Sequence, residues 1–368
     1  MAQLMQNNNF KSDELMALMD GATGAISEIY QEVDDQRRIA ADSDSPLEDR
    51  LEAYENIIDS EVGDTSLVRA RNIEREVGLR QIYLKFEGSN PTGTQKDRIA
   101  FAQVMDALRR SFDSITVATC GNYGAAISMA ASLAGLRCYI FIPESYRTKR
   151  IKEMTDMGST IIRTPGDYEA TVEASRQYAE THELYDANPG SANTALQLKA
   201  YGEIAYEIYD ELRDAPFAVA VPVSNGTTLA GIYRGFLSLY RRGKTSRMPR
   251  MVAGSSYKKN PIVESCLKKS LRCSDLRPEK IKETSINEPL INWHAIDGNL
   301  ALDSIRLTQG WAASVSDKNM LSFAKLIRER EGLHVLPAAT AGLIALVESY
   351  RKEPMPSDRF VAILTGRK

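Results

Sequence analysis

Residues 81–98 read QIYLKFEGSNPTGTQKDR. The largely apolar run Gln81–Phe86 predicts a buried strand, Asn90–Gly93 supplies the Pro and Gly of a turn, and Lys96–Arg98 lead into a helix. A lysine at the positive end of a helix has its ammonium form disfavoured, which suits an amine that forms a Schiff base with a carbonyl group. Most lysines near a helix start are simply solvated, so Lys96 is a candidate for covalent chemistry only if its surroundings agree.

From about residue 62 the chain alternates short β-rich runs with amphipathic stretches, a pattern typical of parallel, doubly wound sheets. The predicted strands are Gln81–Phe86, Ser114–Thr119, Arg137–Ile142, Thr160–Arg163, Phe217–Val221, Arg250–Gly254 and Arg359–Leu364. The predicted helices are Ile99–Arg110, Tyr123–Ala134, Thr148–Met157, Tyr168–Glu180, Leu196–Glu211, Leu229–Tyr240, Asp317–Glu331 and Ala338–Tyr350. We therefore expect an α/β fold.

A chain of 368 residues is long enough for two domains. We expect two doubly wound, mostly parallel three-layer α/β/α domains, a larger one from residues 61–98 and 195–368 and a smaller one from residues 99–194. Residues 1–60 are polar and acidic, with apolar positions near helical spacing at Leu15, Met16, Met19, Ile26, Ile29 and Tyr30. They predict an N-terminal helical extension that is solvated or contacts another subunit.

The composition of the chain indicates which kinds of ligand and partner it is expected to bind. Lys and Arg total 46 and Asp and Glu total 49, a net charge of −3, and the basic residues are scattered, which disfavours nucleic-acid binding and favours a small-molecule substrate. The 4 cysteines form no CxxC pair and only 3 histidines are present, so we expect reduced thiols and no metal. No run approaches the ~20 apolar residues of a membrane span and no leader is evident, so we expect a cytoplasmic protein that does not bind membranes.

Ligands of open parallel sheets lie beyond the carboxyl ends of strands, and two further motifs fall there. Residues 119–124, TCGNYG, end a strand and open an Ala-rich helix, whose free N–H groups suit an amino-acid carboxylate. Their candidate substrate contacts are Thr119, Cys120, Gly121 and Tyr123. Residues 221–231, VPVSNGTTLAG, form a small-residue loop that matches neither a Walker loop nor a GxGxxG motif. Backbone N–H groups and hydroxyls there suit a phosphate, with candidate ligands Ser224, Asn225, Gly226, Thr227 and Thr228.

Residues 90–98 resemble the Asn-Pro-Thr-Gly-x-x-Lys-Asp-Arg signature of threonine synthases, and more loosely the lysine site of cysteine synthases and serine/threonine dehydratases. All are fold-type-II pyridoxal 5'-phosphate (PLP) enzymes, and the resemblance spans about residues 62–368. It implies a homodimer in which Lys96 holds PLP as an imine and then moves protons. It also implies that Asn122 bonds the cofactor 3-hydroxyl, that residues 224–228 hold its phosphate, and that Thr365 in the closing motif AILTG meets the pyridine nitrogen. A neutral partner for that nitrogen favours elimination and replacement.

Three positions depart from the threonine synthase pattern. Tyr123 stands where a substrate-contacting Thr is common, Thr227 stands where the phosphate loop usually has Gly, and the segment Asp186–Gln197 lacks the Arg that grips a substrate phosphate. Lys199, Lys258 and Lys259 are candidates to replace that Arg.

The expected activity is that of a PLP-dependent lyase acting on an amino acid with a leaving group, such as the conversion of O-phosphohomoserine to threonine and phosphate, or on a related substrate. A cysteate- or cysteine-synthase-type replacement enzyme, a dehydratase and a catalytically silent PLP-binding homologue stay open. Without the Arg, we expect phosphohomoserine to be a poor substrate.

Overall fold

The computed structural model describes residues 31–119 and 121–368, and the predicted apolar positions between Leu15 and Tyr30 lie outside them. Its strands are β1 (Leu67–Arg69), β2 (Ile82–Phe86), β3 (Ser114–Ala118), β4 (Arg137–Pro143), β5 (Thr160–Thr164), β6 (Tyr185–Asp186), β7 (Ala218–Pro222), β8 (Arg250–Ser256), β9 (Trp311–Val315) and β10 (Phe360–Leu364). They form a six-stranded sheet in the order β1-β2-β10-β7-β8-β9 and a four-stranded sheet in the order β5-β4-β3-β6. Every pairing is parallel except that of β1 with β2.

The helices lie between the strands. They are α1 (31–41 within the described residues), α2 (Leu47–Glu61), α3 (Arg71–Val77), α4 (Lys96–Arg109), α5 (Asn122–Leu133), α6 (Ile151–Asp156), α7 (Tyr168–His182), α8 (Thr194–Leu212), α9 (Thr227–Arg241), α10 (Pro261–Leu267), α11 (Gly298–Leu307), α12 (Asp317–Glu331) and α13 (Ala341–Lys352). The predicted α/β class with parallel sheets is confirmed. Over the described part of the chain, no helix is both long and apolar enough to span a bilayer.

β10 occupies the interior of the six-stranded sheet. It pairs in parallel with β2 on one side and β7 on the other, and every residue of Phe360–Leu364 is buried. An unbroken run of apolar residues is what a strand covered on both faces requires. The carboxyl ends of β2, β10 and β7 therefore open at one edge, where the Lys96, Thr365 and Ser224–Thr228 segments begin.

The end of the N-terminal extension packs onto the body of the protein. Tyr54 of α2 is fully buried, stacks on Phe101 of α4 at a centroid distance of 6.0 Å and donates its hydroxyl to the Ala130 carbonyl at 3.1 Å. Arg50 donates to the Ala134 carbonyl at 2.8 Å. Residues 47–61 are thus a docked helix rather than a solvated arm, because their apolar face is covered by α4 and α5. The proposed domain boundaries stay a prediction.

Candidate active site

The loop before Lys96 is folded onto the first turn of α4. The Thr92 N–H and hydroxyl both donate to the Asp97 carboxylate, at 3.0 and 2.7 Å. Gly93 has φ +89°, and a Cβ there would lie 2.7 Å from Nε of Arg367, so the turn requires glycine. These contacts fix the backbone on both sides of Lys96.

The same loop is hydrogen-bonded to the segment that follows β10. The Gln95 N–H donates to the Thr365 carbonyl at 3.0 Å, the Arg367 N–H donates to the Gly93 carbonyl at 2.8 Å, and Thr94 pairs with Gly366. The lysine motif and the Thr365 motif, far apart in sequence, therefore meet at one edge of the sheet.

The Lys96 side chain is partly buried beside α8. Its Nζ lies 6.0 Å from the ring centroid of Tyr201. Burial lowers the pKa of Lys96 to about 8, and the charge of Asp297 opposes part of that shift. The sequence pointed to the helix dipole as the cause, whereas desolvation is the main one. A substantial fraction of the amine is neutral near pH 7 to 8, as attack on an aldehyde requires.

A buried ionic network lies beneath the first turn of α4. Arg98 forms two bonds to Glu87, at 2.7 and 2.9 Å, and two to Glu207, at 2.6 and 2.9 Å. Lys85 contacts Glu207 at 2.5 Å, and the hydroxyl of Thr65 donates to Glu87 at 2.8 Å. Two cations and two anions balance within the network, so the helix that carries Lys96 is fixed without an uncompensated charge.

The predicted phosphate loop turns directly into α9. Gly226 has φ +92°, and a Cβ there would lie 2.8 Å from Cβ of Ala301 and 2.9 Å from Cδ1 of Ile262, so no other residue fits. The Asn225 side chain accepts from Asn292 Nδ2 at 2.8 Å. The loop thus places the free N–H groups of Gly226–Thr228 at a helix N-terminus, a geometry suited to a phosphate.

A carboxylate that the sequence did not flag joins this loop to Lys96. Asp297 accepts from the Thr227 hydroxyl at 2.5 Å and from the Thr194 hydroxyl at 3.5 Å, and its N–H donates to the Asn225 carbonyl at 3.0 Å. It is 4% exposed, and burial raises its pKa above the ordinary range of a carboxyl group. Because Asp297 interacts with both Thr227 and Lys96, the loop and the lysine lie next to each other.

Asn122 reaches the Lys96 loop through an arginine. Arg150 donates to Asn122 Oδ1 at 2.8 Å and to the Thr92 carbonyl at 2.8 Å. Asn122 begins α5 at the carboxyl edge of the four-stranded sheet, while Thr92 belongs to the loop after β2. This contact brings the second motif to the first.

The other residues of the TCGNYG motif have different positions. The Thr119 hydroxyl accepts from the Gly121 N–H at 3.4 Å, and Cys120 lies outside the described residues. Tyr123 is 6% exposed and donates its hydroxyl to the Ala187 carbonyl at 2.9 Å, within the core. The ring of Tyr123 packs in the hydrophobic core, and its contact with substrate stays a prediction.

Gln197 is a further residue that the sequence reading missed. It is fully buried on α8, and neither its amide nitrogen nor its oxygen has a hydrogen-bond partner. Thr194, Gln197 and Tyr201 lie on one face of the helix, and the outer two contact Asp297 and approach Lys96. Buried amides are almost always paired, so an unpaired one on this face marks a place where a bound group or water completes the site.

These features fit PLP. The amine of Lys96, with its lowered pKa, suits the aldehyde of PLP, and the N–H cradle that excludes any side chain at Gly226 suits its phosphate. The unpaired buried amide of Gln197 lies on the same helix as Tyr201, whose ring centroid is 6.0 Å from Lys96 Nζ. Among the described residues, no cluster of His, Cys, Asp and Glu is arranged to hold a metal ion.

Residues 58–366 match the family described as pyridoxal-phosphate dependent enzyme. The chain belongs to this family. Its cofactor is PLP, as the sequence predicted. The chain is 30% identical over 307 residues to the threonine synthase of Methanocaldococcus jannaschii, covering 83% of this chain and 74% of that protein. It is 29% identical over 309 residues to the threonine synthase of a Bacillus species, covering 83% and 82%.

Solved structures with the same fold include enzymes of other reactions. Serine racemase from Dictyostelium discoideum superposes with a TM-score of 0.71 at 19% identity, covering 88% of this chain and 98% of that one. Threonine deaminase isoform 2 from Solanum lycopersicum superposes with a TM-score of 0.70 at 16% identity, covering 87% and 90%. These likenesses establish the fold-type-II architecture, which hosts several reactions.

Proposed function

We propose that this enzyme catalyses elimination and replacement on an amino acid that carries a leaving group at its β or γ carbon, on the pattern of threonine synthase. The observation that carries the proposal is Lys96, a partly buried amine with a pKa of about 8 whose loop is bonded to the Thr365 segment. The resemblance to threonine synthases over most of the chain supports the same class.

In this proposal Lys96 has two tasks and each of the other residues has one. Lys96 binds the cofactor covalently and, once released, moves the proton at the substrate α carbon. The N–H groups of Gly226–Thr228 hold the phosphate, Asn122 bonds the 3-oxygen, and the Thr365 hydroxyl faces the pyridine nitrogen. When bound, PLP supplies a ring that stabilises negative charge on the α carbon.

The basic residues near Lys96 bear on the size and charge of the leaving group. Lys199 and Lys258 are exposed, and Lys259 donates to the Lys282 carbonyl at 2.6 Å, so none of these candidates is engaged in the pocket. Arg150 is already shared among three partners, and Asp297 adds negative charge beside Lys96. A dianionic phosphate needs several strong donors, so we propose that the preferred substrate carries a smaller or less charged leaving group.

The same shortage of free basic side chains supports a second candidate function. A β-replacement enzyme of the cysteine-synthase type, or a dehydratase, acts on such leaving groups and uses the same lysine and cradle. A silent PLP-binding homologue is the third. The homodimer and the cytoplasmic location stay predictions.

Spectral scanning tests these proposals. The purified protein is mixed with phosphohomoserine, phosphoserine, O-acetylserine, serine and threonine, and cofactor absorbance, phosphate release and ketoacid formation are followed. We expect turnover of at least one compound and weak turnover of phosphohomoserine. Phosphohomoserine turnover at the efficiency usual for threonine synthases refutes the leaving-group proposal, and turnover of none favours the silent homologue.

Lys96→Ala tests the covalent role. We expect loss of the cofactor that borohydride fixes to the protein, whereas Lys199→Ala, an exposed lysine on α8, retains it. Retention of the fixed cofactor by Lys96→Ala assigns the role to another lysine.

A further inference from the structure

One guanidinium bridges the smaller sheet and the lysine loop. Arg150 stands just before α6, and its Nη1 donates to Asn122 Oδ1 at 2.8 Å while its Nη2 donates to the Thr92 carbonyl at 2.8 Å. Its remaining donors meet the Glu153 carboxylate at 2.8 and 3.1 Å. The side chain is 24% exposed. Arg150 therefore holds three groups from three segments in one plane.

The direction of these bonds fixes the orientation of an amide. An arginine side chain can only donate hydrogen bonds, so the atom of Asn122 that faces Arg150 must be the amide oxygen. The other end of that amide, Nδ2, carries only donors. Without Arg150 the amide is free to rotate by half a turn and present its oxygen instead.

We propose that Arg150 is a positioning residue, which holds Asn122 with its N–H₂ group directed to the 3-oxygen of PLP. That oxygen carries negative charge when the ring hydroxyl is ionised, so it binds a donor and repels an amide oxygen. The inference rests on the proposed role of Asn122 and goes beyond it, because it assigns the residue that sets which end of the amide the cofactor meets.

The surroundings of Arg150 are built to keep the guanidinium in place. Glu153 neutralises its charge with two bonds, and the Thr148 hydroxyl accepts the Arg150 N–H at 3.2 Å. Thr92, the third partner, is itself bonded twice to Asp97, the residue after Lys96. A lysine in place of Arg150 offers no planar fork and cannot serve all three partners at once.

The test measures cofactor binding to the apo-enzyme, with PLP and with its 3-deoxy analogue as probes. The variants are Arg150→Met, Asn122→Ala and the double substitution, with Arg137→Met as control, since Arg137 forms an exposed ion pair with Asp113. We expect Arg150→Met to weaken PLP binding about tenfold, the scale of one charge-assisted hydrogen bond. We expect the double variant to bind no more weakly than Asn122→Ala, because both changes remove the same interaction.

The 3-deoxy analogue separates positioning from a general structural effect. It has no 3-oxygen, so Arg150→Met and wild type are expected to bind it equally. Equal weakening of both probes, or additive losses in the double variant, overturns the inference. If Asn122→Ala binds PLP as wild type does, the role of Asn122 fails and the inference fails with it, whereas absence of PLP binding by the wild type refutes the proposed function itself.

If Arg150→Met does not fold, Glu153→Gln provides a second variant for the same binding measurement. It keeps the guanidinium but removes the charge that holds it. We expect a smaller loss of PLP affinity, of about threefold, and none for the analogue. An unchanged PLP affinity in this variant would also count against the inference.

Discussion

Glu207 and Asp297 are both largely buried carboxylates close to α4, yet their surroundings differ. Glu207 lies among Arg98 and Lys85 in a network where every charge has a partner of opposite sign. Asp297 has hydroxyl and weak charge interactions only, and the buried amide of Gln197 on the neighbouring face has no partner at all. The difference shows that the Glu207 side of α4 is a fully paired scaffold, whereas the Asp297 side keeps a polar group without a partner.

The pKa values of the two carboxyls differ in the same way. Burial alone would raise the pKa of Glu207, but its bonds to Arg98 and the charges of Arg98 and Lys85 outweigh it and hold the pKa at about 2. For Asp297, burial dominates and the pKa is raised. Native structure therefore favours the charged form of one and disfavours that of the other.

Removing a cation from the paired side is expected to have the largest effect. Arg98→Met leaves the buried Glu87 and Glu207 uncompensated, so we expect the free energy of unfolding to fall by about 3–5 kcal/mol in urea at pH 7. Arg137→Met at the exposed pair with Asp113 is expected to cost at most about 1 kcal/mol. Equal losses in the two variants would remove the distinction between scaffold and surface.

The dependence of stability on pH tests the opposite pKa shifts of Glu207 and Asp297. The folded pKa of Glu207, about 2, lies below its ordinary value of 4.5, so its contribution is fully present above pH 4.5 and is lost as pH falls towards 2. We expect about 3 kcal/mol of stability to disappear over that window. Glu207→Gln should flatten that part of the curve, and a curve that keeps its slope would contradict the assignment. For Asp297 the sign is reversed, since ionisation opposes folding, so Asp297→Asn should raise apo-protein stability at pH 7.

On the Asp297 side of α4, the loop of residues 224–228 is constrained by tight packing rather than by charge. Gly226→Ala adds both left-handed strain and contacts of 2.8 and 2.9 Å to Ala301 and Ile262, and we expect a loss of about 2–3 kcal/mol together with weaker PLP binding. Gly243→Ala is the matched control, with φ +66° and no atom within 4 Å. It is expected to cost about 1 kcal/mol, and a similar loss at both positions would show that crowding at Gly226 is unimportant.

The smallest change in stability is expected at Gln197. Gln197→Met removes an unpaired buried amide, so we expect the apo-protein to be unchanged or more stable by up to about 1 kcal/mol. Gln103 is also fully buried on a helix, but it donates to the Ala187 carbonyl and accepts from Tyr185, so Gln103→Met should cost about 1–3 kcal/mol. Urea unfolding of the two variants compares them directly, and a clear loss at Gln197 would indicate a bound internal water.

The parts of the fold that sequence predicted are the ones whose signals are local. The run Gln81–Phe86, the turn at Asn90–Gly93 and the helix that follows are encoded within one short segment, and the structure has them within one to three residues of the predicted ends. β1, β6 and β9 were missed. Strands of 3 and 2 residues, such as β1 and β6, have no periodicity to detect, and β9, Trp311–Val315, consists largely of Ala and Ser, which give a weak strand signal.

The candidate site was predicted only where a motif follows a strand. Arg150 contacts Asn122 across 28 residues and Thr92 across 58, and nothing in its own neighbourhood distinguishes it from Arg147 or Lys149. Tyr123 shows a related limit on what a motif predicts. It follows Asn122 on a helix, where successive side chains point about 100° apart, so its hydroxyl bonds the Ala187 carbonyl while Asn122 bonds Arg150.

The interior position of β10 also governs the order in which this enzyme can be assembled during translation. The strand that separates β2 from β7 is made after both, and the lysine loop obtains its backbone partners from Thr365 and Gly366. A nascent chain that carries Lys96 outside the ribosome must therefore wait for residues 360–366 before the large sheet closes. Until then the edges of β2 and β7 stay open to chaperones and to aggregation, and the lysine loop lacks the backbone partners that hold it in place.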